Sequence, residues 1–321
     1  MSTITRRVFM LTAAAAPVVS PLVARAQAST IKLIVPVPPG GSLDPIARLA
    51  QPGLQARLGQ TVIIENKPGA SGSLGAGLVA KAPPDGTTWL FVYETQAINP
   101  FLMHLTYDSK KDFEPVQLIG TAPAILAKSA SRPWKSFQEL LAAAKRKPNS
   151  VSYASTGIGS IGHLAMTALL ARAGVQMIHV PYKGGGPALK DAVAGQVDSI
   201  IGSVALTSPQ IHAGKLTGLL NFGSARLKTM PDIPTAMESG FPGLEAYAWW
   251  GVFAPKDTPS ALIDRFARAL ADTLREEKNA KQMSEVWQIN SKLNGPAELK
   301  TFFDSQMALW GSVVRENHIA G

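Results

Sequence analysis

Short apolar runs alternate with longer mixed segments along most of the chain, and this alternation predicts an α/β protein. Residues 31–37 are apolar except for Lys32 and predict a buried strand, and residues 42–58 predict a helix. A second strand is expected over 61–65, a helix of small residues ends near 82, and a third strand follows over 87–93. The order strand–helix–strand–helix–strand predicts a parallel sheet with crossover helices.

Two details of the first helix follow from its residues. Ser42 stands at its start, where a serine side chain commonly caps the free backbone N–H groups. Pro52 lies inside the helix and lacks a backbone N–H, so we expect it to kink or split the helix.

The rest of the chain continues the α/β pattern and ends in a helical region. No internal repeat is visible in it. We expect strands at 124–128, 151–154, 177–180, 197–201, 216–222 and 247–254, and helices at 137–146, 161–172, 187–194, 259–276, 280–288 and 296–317.

No polar linker separates the two α/β units, which indicates a chain that crosses twice between two lobes. The candidate crossings lie near 120–127 and 246–254. We therefore expect one lobe from residues 27–125 plus 247–321 and another from residues 126–246. Two lobes joined by a double hinge enclose a cleft that can close on a ligand.

The first 26 residues read as an export signal. Arg6 and Arg7 begin a segment that resembles a twin-arginine signal, and an uncharged stretch interrupted by two prolines follows. That stretch is short for a membrane span, which needs about 20 apolar residues. Small residues allow cleavage after Ala26 or after Ala28. These features predict export to the periplasm by the twin-arginine route.

Composition excludes several classes of protein. Hydrophobic residues make up 46% of the 321 residues and charged residues 17%, which is not the composition of a disordered chain. The absence of cysteine excludes thiolate metal sites and cysteine nucleophiles. The formal charge of +9 falls to +6 without residues 1–26 and forms no basic stripe, so no nucleic-acid partner is expected. The five histidines lack metal-ligand spacing, so no metal is expected. No cofactor is expected either.

Glycine- and serine-rich loops follow several of the predicted strands. They include residues 38–44, 69–72 and 155–162. Because ligands of open α/β sheets bind at the carboxyl ends of the strands, three such loops indicate one ligand site. Backbone N–H groups at helix starts suit a small anion such as a carboxylate.

Two alternative readings concern residues 157–163. Gly157, Gly159 and Gly162 fit the dinucleotide pattern G-x-G-x-x-G, but no acidic residue follows about 20 residues later, which favours an anion-binding helix start. Ser160 and His163 lie one helical turn apart and would be the pair used by a periplasmic serine hydrolase. Neither Ser160 nor Ser73 has the G-x-S-x-G context of a serine nucleophile. We expect no catalytic residues.

Together these segments resemble the solute receptors of tripartite tricarboxylate transporters, the Bug family. The matching stretches span nearly the whole chain after the export signal. They are 35–44 (VPVPPGGSLD), 65–70 (ENKPGA), 84–86 (PDG), 97–100 (AINP), 155–164 (STGIGSIGHL), 180–184 (VPYKG), 231–235 (PDIPT) and 249–255 (WWGVFAP).

The resemblance implies a two-lobed periplasmic-binding-protein (Venus-flytrap) fold of the α/β class, similar to class II, with a double-strand hinge. It implies a monomer that binds a small organic carboxylate and delivers it to integral-membrane permease subunits. A receptor for a membrane sensor kinase is the alternative function. The ligand-binding residues implied or expected here are Pro38, Gly40, Gly41, Ser42, Asp44, Ala70, Ser71, Glu94, Thr95, Ser155, Thr156, Gly157, Ser160, His163, Tyr182, Lys183 and Ser203.

Three of these positions carry further expectations. Asp44 is expected to orient its loop and cap the helix start rather than meet an anion. Glu94 stands where the family commonly has small polar residues, and its negative charge would favour an amine or hydroxyl on the ligand. Ser203 lies in a stretch that departs from the family's Phe-and-Asp pattern, as Pro52 departs from a helix that the family keeps continuous.

Overall fold

The computed structural model describes residues 30–316. The export signal predicted over residues 1–26, with both candidate cleavage points, lies outside the described residues. No helix within the described range combines the length and the apolar character that crossing a membrane requires.

The first part of the chain forms a parallel arrangement of three strands. The elements are β1 (Ile31–Val35), α1 (Leu43–Leu58), β2 (Val62–Asn66), α2 (Ser73–Ala80), β3 (Thr88–Tyr93) and α3 (Thr95–Ile98). Short 3-10 turns follow β2 at Ala70–Gly72 and α3 at Asn99–Phe101. The strand β1 lies between β2 and β3 and is parallel to both, which confirms the predicted parallel sheet.

The middle of the chain forms a second sheet with its own helices. The elements are β4 (Phe113–Ser129), α4 (Phe137–Arg146), β5 (Ser152–Ser155), α5 (Ile161–Ala173), β6 (Ile178–Pro181), α6 (Gly185–Val193), β7 (Ser199–Ser203), α7 (Val204–His212) and β8 (Leu216–Asn221). The strand β5 is parallel to both β6 and β7, and β4 runs antiparallel between β7 and β8.

The final part returns to the first sheet and adds helices to it. The elements are β9 (Tyr247–Pro255), α8 (Ser260–Arg275), α9 (Glu277–Lys281) continued by a π turn at Gln282–Val286, β10 (Asn290–Ser291) and α10 (Pro296–Glu316). The strand β9 pairs with β3 on one side and with β4 on the other, and α8 packs against α1.

The long strand β4 joins the two sheets. Residues Phe113–Pro123 pair with β9 in the first sheet, and Ala124–Ser129 pair with β7 and β8 in the second. The chain therefore passes between the sheets within β4 and again at the start of β9. We call the part built on β1, β2, β3 and β9 lobe 1, and the part built on β5, β6, β7 and β8 lobe 2.

Local expectations failed at several points. The helix α1 is not split at Pro52 but runs unbroken from Leu43 to Leu58. Ser42 is not a side-chain cap; its hydroxyl oxygen instead accepts a hydrogen bond from the indole N–H of Trp250 at 3.2 Å. The strand β4 begins 11 residues before the expected strand at 124–128, and α7 was not predicted at all.

Candidate functional site

The carboxyl ends of strands from both lobes meet at one cleft. The loops after β1, β2 and β3 line it from lobe 1, and those after β5, β6 and β7 line it from lobe 2. This is the edge at which open α/β sheets bind ligands.

The two lobes touch across this cleft. The Ser71 hydroxyl donates a hydrogen bond to the carbonyl of Ile158 at 3.0 Å. The loop after β1 also packs against the start of α6. A Cβ atom at Gly186 would lie 2.5 Å from the carbonyl oxygen of Pro39, and one at Gly184, where φ is +129°, would lie 2.8 Å from Pro38 Cδ. Glycine at both positions therefore permits the close approach of the lobes.

The inner part of the cleft, the Glu94 cavity, is narrow, with a cavity volume of about 30 Å³. Most of its lining side chains are small or apolar, and Glu94 is the only carboxyl among the described residues that line it. The lining residues are Val37, Gly41, Ser42, Leu43, Tyr93, Glu94, Thr156, Ile161, Gly162, Gly184, Gly185, Gly202, Ser203, Leu206 and Ala248.

The outer part, the Lys183 cavity, is larger, with a cavity volume of about 210 Å³. Lys183 is exposed at its rim. Because Tyr93 and Thr156 line both cavities, the two parts form one continuous cleft. The lining residues of the Lys183 cavity are Pro36, Gly69, Ala70, Ser71, Gly72, Tyr93, Thr156, Gly157, Ile158, Pro181, Tyr182 and Lys183.

Glu94 is the buried carboxyl of the site, with 4% of its surface exposed. Burial raises its pKa to about 7, although hydrogen bonds from its own backbone N–H and those of Ile161 and Trp249 act in the opposite direction. Ile161 is the first residue of α5, so a free N–H group of this helix start already faces a carboxyl of the protein. The backbone N–H of Ile161 is therefore not free to bind a ligand anion.

Asp44 orients the loop after β1 and does not line either cavity. Its carboxylate accepts hydrogen bonds from Arg48 Nε at 3.0 Å and from Asn66 Nδ2 at 2.9 Å. Burial would raise the pKa of Asp44, but these hydrogen bonds and one from the backbone of Gly40 together lower it. Its placement among the ligand contacts is not supported, whereas the expected orienting role agrees with this geometry.

Ser155, Ser160 and His163 lie behind the wall of the cleft, and none of them lines either cavity. The Ser160 hydroxyl donates to the carbonyl of Gly157 at 2.7 Å and accepts from the backbone N–H of His163 at 3.3 Å. Ser160 is therefore the N-cap of α5. The Ser155 hydroxyl is fully buried and lies 2.7 Å from His179 Nε2.

The His163 ring stacks on His179, with ring centroids 4.3 Å apart. Its Nδ1 accepts a hydrogen bond from the backbone N–H of Gly159 at 3.2 Å. Burial lowers the pKa of both histidines, to about 4 for His179, where the charge of His163 adds to the effect. Since no hydrogen bond joins the Ser160 hydroxyl to the His163 ring, the dyad of the hydrolase alternative does not exist here.

The other expected contacts differ in their placement. Gly41, Ser42, Glu94 and Ser203 line the Glu94 cavity, and Thr156 lines both cavities. Pro38 and Thr95 line neither, and Gly40 lines a separate cavity on the outer side of its loop. Four of the expected contacts line the Lys183 cavity alongside Thr156 and Lys183, namely Ala70, Ser71, Gly157 and Tyr182.

Tyr93 is the main residue that sequence reasoning missed. It ends β3, and the alternation of that strand gave no sign that its ring would face the cleft. Gly184 and Gly185 were also missed as lining residues, although the glycine run at the start of a predicted helix was a usable signal. Tyr182 was predicted, and its hydroxyl is held by the Asp191 carboxylate at 2.7 Å. Burial, followed by this contact, raises the pKa of Tyr182 to about 12.

The described residues contain no group of three or more histidine, aspartate or glutamate side chains placed to hold a metal ion. The described residues that line the cleft offer a ligand backbone groups, hydroxyls, one cation and one buried carboxyl.

Comparison with known proteins places this arrangement in a family. The family model "Tripartite tricarboxylate transporter family receptor" matches residues 46–319. A UPF0065 protein in the tcbD–tcbE intergenic region of Pseudomonas sp. (strain P51) is 36% identical over 288 residues, which are 89% of this chain and 85% of that protein. Protein BugT of Bordetella pertussis is 32% identical over 90% of this chain and 89% of its own length.

Solved structures agree with the sequence relatives. The periplasmic binding protein BugD superposes with a TM-score of 0.86 at 31% identity, covering 91% of this chain and 98% of BugD. An R. palustris protein with adipate gives a TM-score of 0.86 at 30% identity, covering 91% and 98% of the two chains. MatC from Rhodopseudomonas palustris with bound malate gives 0.82 at 30% identity, covering 89% and 98%.

These matches extend over most of the described chain and over nearly all of each solved relative. They agree with a two-lobed α/β fold whose strand ends face one cleft. The chain belongs to the family of tripartite tricarboxylate transporter receptors.

Proposed function

We propose that this chain captures a small carboxylate in the cleft between its lobes and delivers it to the permease subunits of a tripartite tricarboxylate transporter. The observation that carries the proposal is the meeting of strand-end loops from both lobes at one cleft. Two solved relatives were determined with carboxylates, one with adipate and one with malate.

The Lys183 cavity is the place we assign to the ligand's carboxylate. Lys183 supplies the one cationic side chain among the described residues that line either cavity. The hydroxyl of Thr156 lies on the same wall, and charge-assisted hydrogen bonds are the stronger ones. Contact with loops of both lobes would make binding favour the closed arrangement.

The division of the chain and its route to the periplasm belong to the same proposal. Lobe 1 would comprise residues 27–125 and 247–321, and lobe 2 residues 126–246, since β4 leaves the first sheet at Ala124 and β9 begins at Tyr247. Export by the twin-arginine route after cleavage near residue 26 would bring the receptor, as a monomer, to the permease.

Calorimetric titration of residues 27–321 tests the proposal. The protein is first unfolded and refolded to remove any carried-over ligand, then titrated with succinate, malate, adipate, citrate and benzoate. We expect saturable one-to-one binding of at least one carboxylate. Thr156→Val should weaken it, while Thr167→Val should not, because Thr167 bonds to the carbonyl of His163 and lies outside both cavities. Absence of binding by every carboxylate of this panel and by L-aspartate, L-glutamate, 4-aminobutyrate and L-phenylalanine would refute the proposal.

A further inference from the structure

The Glu94 cavity holds a carboxyl without a cationic side chain beside it among the described residues that line the cavity. None of the described residues that line this cavity is lysine, arginine or histidine. The Glu94 carboxyl accepts hydrogen bonds from the backbone N–H groups of Glu94, Ile161 and Trp249. The buried carboxyl of Asp44 differs in this respect, since Arg48 lies 3.0 Å from it.

Burial of a carboxylate without a nearby cation costs free energy, because no opposite charge compensates for its lost hydration. Such a group either takes up a proton or binds a cation that comes from outside the protein. The pKa of Glu94, raised to about 7 by burial, leaves both states accessible near neutral pH. A cation arriving in the cavity would favour the ionised state.

We propose that Glu94 selects a ligand that carries an ammonium group, so that the receptor's cargo is a small amino-carboxylate. The inference rests on the proposed function, because it assigns the ligand's carboxylate to the Lys183 cavity. The ammonium group then lies in the Glu94 cavity and forms a charge-assisted hydrogen bond with the Glu94 carboxylate.

The two cavities have the charges that such a ligand requires. Lys183 stands in one cavity and Glu94 in the other, and Tyr93 and Thr156 line the continuous passage between them. A zwitterion placed along this passage meets an opposite charge at each end. A dicarboxylate placed in the same way brings a second negative charge against Glu94, which disfavours it unless Glu94 is protonated.

Matched ligand pairs that differ only in the ammonium group test this inference. The probes are succinate with L-aspartate, glutarate with L-glutamate, butyrate with 4-aminobutyrate, and 3-phenylpropionate with L-phenylalanine. Each is titrated calorimetrically into the refolded chain at pH 8, where Glu94 is mostly ionised. We expect at least tenfold tighter binding of the amino member in at least one pair.

The Glu94→Gln variant identifies the residue responsible. We expect it to reduce the preference for the amino member to about threefold or less. The control Glu65→Gln removes the same charge from a carboxyl outside both cavities, which is paired with Lys67 at 3.1 Å, and should keep the preference. Thermal unfolding of both variants verifies that they are folded, and Glu94→Asp, which keeps the charge, should retain a preference for the amino member.

The outcomes separate the inference from the function on which it rests. Binding of plain carboxylates as tightly as their amino partners in all pairs, or a preference that survives in Glu94→Gln, overturns the inference and leaves the carboxylate receptor intact. Failure of every probe and of every carboxylate in the earlier panel overturns both.

Discussion

Glu94 and Asp44 are both buried carboxyls of lobe 1, with 4% and 3% of their surfaces exposed, but their surroundings act on them in opposite directions. At Asp44, hydrogen bonds from Arg48 and Asn66 outweigh burial, and the pKa is lowered. At Glu94 burial outweighs the backbone hydrogen bonds, and the pKa is raised to about 7. The fold therefore stabilises the charged form of Asp44 and the neutral form of Glu94.

The raised pKa of Glu94 predicts a specific effect of pH on stability. Between its ordinary value of 4.5 and about 7, the folded protein binds more protons at Glu94 than the unfolded chain does. The contribution of Glu94 to the free energy of unfolding therefore falls as pH rises through this range, by on the order of 3 kcal/mol in total. Glu94→Gln should remove this contribution, so the variant gains stability relative to the wild type between pH 5 and pH 8.

Urea unfolding of both proteins at pH 5 and pH 8 measures this difference. Comparison with the variant is necessary because His163 and His179 change stability with pH in the direction opposite to Glu94. Their lowered pKa values mean that stability is lost as pH falls below about 6.5, in an overlapping range. An equal stability difference between wild type and Glu94→Gln at both pH values would show that Glu94 is not perturbed.

A second prediction concerns the contribution of the Lys183 charge to carboxylate affinity. Lys183→Met keeps much of the side chain's length and removes its charge, so affinity for a bound carboxylate should fall. Because Lys183 is exposed and screened by water, we expect a loss of about three- to tenfold. Lys190→Met is the control, since Lys190 is an exposed lysine of α6 that lines neither cavity. Calorimetry checks both, and an equal loss in the two variants would indicate a general charge effect.

At the scale of elements, Pro52 and Gly53 are accommodated within a continuous helix. Gly53 faces α8, and a Cβ atom there would lie 2.3 Å from Cγ2 and 2.6 Å from Oγ1 of Thr273. The helix α1 therefore approaches α8 more closely than a residue with a side chain would allow. The expected break at Pro52 did not occur because packing against α8 and the first sheet stabilises the helix as a whole.

Gly53→Ala should destabilise the protein through this contact. Ala favours a helix over Gly by up to about 1 kcal/mol, but overpacking costs about 1–3 kcal/mol, so we expect a net loss. The double variant Gly53→Ala/Thr273→Ala should recover part of it, because Ala at 273 removes both clashing atoms. Thermal unfolding of both single variants and the double variant measures the coupling. If the two changes are simply additive, the contact is not the cause.

Residue patterns predicted the elements where one property governs a whole segment. The strands β1, β2 and β3 are short apolar runs bounded by turns, and their order sufficed for the parallel sheet. The first half of β4 was missed because Glu114, Pro115 and Gln117 interrupt its apolar character, while pairing with β9 tolerates them through irregular register. The helix α7 was missed because it follows β7 without a turn and contains Pro209.

The site was predictable to the extent that it depends on strand ends. Loops after parallel strands must lie at one edge, so Ser71, Thr156 and Ser203 could be named from the sequence. The side of the loop that each residue faces was not predictable. Ser155 and Thr156 are neighbours, yet the first is buried behind the wall and the second lines both cavities. That difference depends on the tertiary contacts of the loop, such as the one between Ser155 and His179.

At the scale of the whole molecule, the contact between lobes depends on backbone-to-backbone packing. Gly186 lies in the first turn of α6, without a positive φ, and its Cα faces the loop after β1 in the other lobe. A Cβ atom there would lie 2.5 Å from the carbonyl oxygen of Pro39 and 3.2 Å from the carbonyl carbon of Gly40. These atoms belong to the backbone, so the clash can be relieved only by separating the two loops.

Gly186→Ala should therefore oppose closure without disturbing lobe 2. Alanine is a better helix former than glycine, so the stability of the ligand-free protein with these two loops apart should be unchanged or slightly higher. Affinity for a carboxylate that contacts both lobes should fall, because binding must work against the clash. Small-angle X-ray scattering with saturating carboxylate should give a larger radius of gyration for the variant than for the wild type. Gly77→Ala, in α2 and within lobe 1, makes its nearest contact with Thr106 at 3.2 Å and should show neither effect. Wild-type affinity and radius in Gly186→Ala would mean that the receptor holds its ligand without bringing these two loops together, and the site would then have to be assigned to one lobe.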